Sequence, residues 1–135
     1  MIDCSDLIGK PFANTGHGVD GYNCWTLAIE VFHRFGIDID DYDIAADACI
    51  SVAREMSRSV IAARSGKSRW KKCSYTVPAL VAIYAHPLDP RIVNHVGVTI
   101  PDIGKRFIQA TKAAGVHLAH IDDPMIRIEG FYRYE

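Results

Sequence analysis

Between Asn23 and Gly36 the apolar residues Trp25, Ala28, Ile29, Phe32 and Phe35 recur at the spacing of one helical face. Asn23 suits the N-cap, because its side-chain oxygen can accept from a backbone N–H two or three residues on. Gly36 ends the run. A second stripe, Ala45, Ala48, Cys49, Val52, Met56, Val60 and Ala63, predicts another helix over about 44–64. Asp43 is its cap, Ser65-Gly66 its stop, and Met56 packing within it. After that the period changes to two. Strands are expected at roughly 79–85, 94–100, 105–111, 115–120 and 125–133. Gly104 and Ala114-Gly115 suit hairpin connections, while Pro87, Pro90 and Pro101 limit strand length. Residues 3–9 suit a short helix, and 11–23 a Gly-rich loop. Helices followed by an antiparallel sheet make an α+β domain, with the first helix packed on the sheet.

Composition narrows the class without naming a chemistry. The 135 residues suit one domain over 1–135, with no repeat, low-complexity stretch or linker to divide them. A formal net charge of −1 argues against nucleic acid as a partner, since phosphate binding needs a basic excess or stripe. Lys67, Arg69, Lys71 and Lys72 surround Trp70 and read as a solvated loop. Met1-Ile2-Asp3-Cys4-Ser5-Asp6 lacks the layout of a secretory signal, and no apolar run approaches membrane-spanning length. Cytoplasmic synthesis and no membrane partner are the expectation. The cysteines at 4, 24, 49 and 73 form no Cys-x-x-Cys pair and read as free thiols. Their scatter argues against structural zinc, and His117 and His120, three apart, would face opposite ways on a strand. No metal is expected.

Cys24 stands at the first turn of the Asn23-capped helix, where unpaired N–H groups and the positive dipole end favour thiolate. The ordinary reading is a small buried cysteine beside Trp25. Val93-Asn94-His95-Val96-Gly97-Val98-Thr99-Ile100 reads as a strand with His95 near its start, where side chains often face a cleft. An imidazole there can take a thiol proton and return it to a leaving amine, the two tasks of amide cleavage. His17, His33, His86, His117 and His120 read as exposed or simply hydrogen-bonded.

Several further segments fall in a telling order. Asp6-Leu7-Ile8-Gly9-Lys10-Pro11-Phe12 and Gly16-His17-Gly18 precede Asp20-Gly21-Tyr22-Asn23-Cys24-Trp25. Phe35-Gly36-Ile37 and Asp41-Tyr42 follow, then Trp70 ahead of Val77-Pro78 and Pro78-Ala79-Leu80-Val81-Ala82-Ile83. His95-Val96-Gly97-Val98, Arg106-Phe107-Ile108-Gln109-Ala110 and Gly130-Phe131-Tyr132-Arg133 complete the set. In this order the chain resembles the NlpC-type cell-wall cysteine peptidases, most of all the branch found in phage tails and prophages. The resemblance spans nearly all of it. It implies a papain-like fold with N-terminal helices packed on an antiparallel sheet, and hydrolysis of peptide amide bonds in peptidoglycan stem peptides.

By that resemblance Cys24 is the nucleophile, His95 the general base and acid, and Gln109 the third polar residue, whose carbonyl orients the imidazole. Phe12, Asn23 and Trp25 would border the substrate, and no cofactor is implied. Delivery to the wall or periplasm would need a carrier such as a phage tail or a secretion machine. Three positions depart from the family. Asn23 replaces its usual Asp, Thr26 its common Gly, and Phe12 a Tyr whose phenol could have served as a donor. Losing one such donor can cost on the order of hundreds-fold in rate. A catalytically degenerate tail or wall-binding module of the same fold, and an acyltransferase, therefore stay as alternatives. An active site implies that Cys24 alone among the thiols reacts well below the usual pKa of about 8.5.

Overall fold

A computed structural model describes residues 2–13, 18, 20–39, 69–84 and 93–135. The helix expected over 44–64 lies outside them, as do His17, Cys49, Lys67 and His86. Among the described residues there is one α-helix, α1 (Cys24–Arg34). Six strands follow: β1 (Trp70–Cys73), β2 (Leu80–Tyr84), β3 (Val93–Thr99), β4 (Arg106–Thr111), β5 (Gly115–His120) and β6 (Ile128–Tyr134). Every neighbouring pair is antiparallel, in one sheet of order β1-β6-β2-β3-β4-β5. The protein is thus α+β, a helix on a six-stranded antiparallel sheet. The segment expected as a short helix at 3–9 narrows to a 3₁₀ turn at Ser5–Leu7.

Strand alternation sorts the sheet into two apolar faces. Leu80, Ala82, Val96, Val98, Ile108, Ala110 and Val116 form one face and pack with Trp25, Ala28, Val31 and Phe32 of α1. Val81, Ile83 and Phe107 form the other, covered by Ile121, Ile126, Ile128 and Phe131. The strand expected from residue 125 begins at Ile128, because turns occupy the residues before it: Ile126 N–H donates to Asp123 O and Met125 N–H to the Asp123 side chain.

The basic run read as a loop is in part an edge strand. β1 pairs with β6 from Trp70↔Tyr134 to Cys73↔Phe131. Its Lys72 ammonium donates to Glu129 at 2.7 Å, and Arg69 donates to Glu135 O at 2.7 Å. Charge belongs at such an edge, where lysines discourage pairing with other chains. Trp70 itself turns inward, 3% exposed, with its ring edge-on to Trp25, Phe32 and Tyr134.

The opposite edge is covered by the chain's own start. Gly9 N–H donates to Val116 O and Val116 N–H to Lys10 O, each at 2.9 Å, laying residues 9–10 along β5. At the next residue, Tyr22 N–H donates to Pro11 O at 3.0 Å, and Ala13 N–H donates to Tyr22 O at 3.1 Å. This strap leads into α1. Gly21 makes the crossing possible: its φ is +125°, and a Cβ there would collide with Pro11 O.

Candidate active site

Cys24 is held by a double cap. Asn23 Oδ1 accepts from Trp25 N–H at 3.0 Å and Thr26 N–H at 2.8 Å, while Thr26 Oγ1 accepts from Asn23 N–H at 3.0 Å. This is a capping box built with threonine in place of the usual Glu or Gln. It gives Thr26, a departure from the resembled family, a local purpose. The thiol that follows is 7% exposed. Burial pushes it up to about 11, against hydrogen bonds from the backbone N–H groups of Val96, Cys24 and Trp25 that pull it down. The helix end was expected to favour thiolate; here loss of solvent outweighs it, and the resting group is a thiol.

The Val96 amide is free for sulfur because two strands part there. β3 and β4 pair at Val98↔Ile108 and Thr99↔Phe107, whereas β2 and β3 stay paired through Ile83↔His95. Thr99 N–H donates to Ala79 O on the β2 side. Alternation therefore turns the Val96 N–H toward β4, beyond the point where that ladder has ended. Cys24 approaches this wedge from the helix side, beside the peptide that joins His95 to Val96.

His95 is half-buried and shares a face with Gln109 and His117, as the register Gln109↔His117 requires. Its Nε2 lies 2.8 Å from Gln109 Oε1 and spans the opening between β3 and β4. A carbonyl oxygen only accepts, so Nε2 carries the proton and donates. Burial pushes the His95 pKa down; the Gln109 bond opposes this, and His117 adds to the depression. Among the described residues Nδ1 makes no hydrogen bond, and none joins His95 to the Cys24 sulfur. Gln109 thus orients a neutral imidazole on the sheet face opposite the one that packs with α1, while the neutral thiol lies at the Val96 amide of the same strand.

The three residues expected at the substrate differ in placement. Phe12 is half-buried and packs against the core beside the strap's contact with Tyr22. Asn23 is 1% exposed and occupied as the cap. Trp25 is 2% exposed, its ring 6.2 Å from that of Trp70. The last two support Cys24 from behind. One polar partner escaped the sequence reading altogether: Gln109 Nε2 lies 3.1 Å from His117 Nε2, and His117 Nδ1 lies 3.0 Å from Gly115 O. Cys4, Cys24 and Cys73 are unbridged, and no cluster of three His, Cys, Asp or Glu residues suited to a metal occurs among the described residues. Nor does any helix among them have the length and apolarity to cross a membrane. Comparison with family models, with curated proteins and with solved structures gave no match to this chain.

Proposed function

We propose that the chain is an NlpC-type, papain-like cysteine peptidase that hydrolyses peptide amide bonds, those of peptidoglycan stem peptides. One observation carries this reading beyond the resemblance. The imidazole of His95 is oriented by Gln109 at 2.8 Å, and the helix-capped sulfur of Cys24 sits on the very next peptide of the same strand. The candidate nucleophile, base and orienting group are supplied by three elements, α1, β3 and β4, which supports this reading.

The chemistry starts from neutral partners. Sulfur attacks the amide carbonyl as its proton passes to His95 Nδ1, and the Cys24 backbone N–H helps hold the oxyanion. His95 then returns the proton to the departing amine, the C–N bond breaks, and an acyl-enzyme remains. Water adds to it with His95 again as base, releasing the carboxylate and restoring the thiol. Purified muropeptides incubated with wild type and with Cys24→Ala test the scheme. Turnover by wild type alone is expected; equal turnover would remove Cys24 from the mechanism.

A second reading has its own support. The depth of Cys24, its raised pKa and the missing phenol at Phe12 favour a non-catalytic tail or wall-binding module. Alkylation of Cys24 against pH separates the two. A peptidase gives a rate that levels off well below pH 8.5, once His95 is neutral and able to take the proton. A module gives a rate still rising toward the thiol's own value near 11.

A further inference from the structure

The polar chain does not stop at Gln109, and its far end has a direction. Gly115 O can only accept, so the His117 Nδ1 at 3.0 Å carries a proton and donates to it. In the neutral ring His117 Nε2 then presents a lone pair. The group 3.1 Å from that lone pair is the side-chain amide of Gln109, which must turn its NH₂ toward His117 to donate. Turning it so leaves Oε1 facing His95 at 2.8 Å. Oε1 in turn requires the proton on His95 Nε2 and leaves the lone pair on Nδ1.

Resting on the proposed peptidase, we infer that His117 is a positioning residue that sets the His95 tautomer through the Gln109 amide. An amide reversed end for end would set Oε1 against the His117 lone pair and NH₂ against His95 Nε2. The His95 proton would then move to Nδ1, the nitrogen that has to receive the thiol proton. Gln109 alone cannot choose between these states, since its two ends have nearly the same shape. The choice is made by the backbone carbonyl of Gly115, fixed by the turn between β4 and β5 and relayed through one ring. Cross-strand register keeps the relay in line, because Gln109 and His117 are direct partners.

The tautomer can be read without turnover, from the ¹⁵N shifts of His95 in the free protein at neutral pH. Wild type is expected to show a protonated Nε2 and an unprotonated Nδ1. His117→Ala removes the acceptor, and His117→Phe does so while keeping a ring. Each is expected to give a mixture of the two tautomers, with kcat on muropeptides down by about two- to tenfold in proportion to the lost Nε2–H fraction and KM little changed, short of the roughly 10⁴-fold that a fully wrong tautomer can cost. His117→Gln, whose carbonyl can accept from Gln109, is expected to restore the wild-type shifts and most of kcat. A His95 proton that stays on Nε2 in both His117→Ala and His117→Phe overturns the inference. Failure of the peptidase reading looks different: the tautomer responds to residue 117 while Cys24→Ala leaves turnover unchanged.

Discussion

Cys24 and His95 are kept uncharged by the same cause, removal from water, and this ties their chemistry to the protein's pH stability. The folded thiol is raised from 9.0 to about 11, so above pH 9 the native chain keeps a proton that the unfolded chain has lost. That contribution is intact below about pH 9 and disappears as pH rises through about 11, a swing of roughly 3 kcal/mol at about 1.4 kcal/mol per unit. Urea unfolding of wild type and Cys24→Ala between pH 8 and 11 is expected to show wild type losing more stability by about that amount. Parallel curves would mean the thiol ionises normally. His95 acts at the other limb. Its folded value is depressed, so the unfolded chain binds the proton first, and stability falls as pH drops below the ordinary value of about 6.5 toward the lower native one. His95→Gln is expected to flatten that acid limb.

At the scale of elements, the start of α1 depends on one side chain more than its length suggests. Asn23→Ala removes the acceptor for two buried N–H groups, and thermal or urea unfolding is expected to show a loss of about 1–2 kcal/mol. Asn23→Asp preserves the acceptor and should lose much less. Most of this element was legible: apolar spacing, Asn23 and Gly36 define α1 to within a residue or two. The β4–β5 hairpin was legible as well, and more was written there than was read. A turn that pairs Thr111 with Gly115 necessarily pairs Gln109 with His117, so the partner of Gln109 followed from the Ala114-Gly115 turn alone. Comparing His117 with His120 along one strand hides this, because the partner of His117 lies across the hairpin. β1 was missed for another reason. In Trp70-Lys71-Lys72-Cys73 charge masks a strand whose lysines sit at an edge, where no core face needs a clean alternation. The parting of β3 from β4 has no signature in the residues at all. It leaves the Val96 N–H open to the thiol.

Over the whole molecule, the strap at residues 9–13 joins the two halves of the candidate site. One end is bonded to β5 at Val116, beside His117; the other is bonded to Tyr22, two residues before Cys24. The sulfur and the His95-Gln109-His117 chain are therefore held in register by a segment that belongs to neither. Gly115 is where this coupling is most exposed to test. Its φ is +67°, which costs an alanine about 1–2 kcal/mol, and a Cβ there would stand 2.6 Å from Lys10 O, closer than real contacts allow. Gly115→Ala must push the strap off β5, shift the Gly115 carbonyl that orients His117, or do both. Amide exchange at Gly9 and Val116 is expected to accelerate by at least tenfold, the equivalent of about 1.4 kcal/mol, while Phe107 and Ile108 in the buried part of β4 change only as much as global stability does. If the strap were merely resting on the sheet, all four amides would move together. A selective response at Gly9 and Val116, with the ¹⁵N shifts of His95 altered in the same sample, would show that the edge of the sheet and the orientation of the imidazole are one mechanical unit.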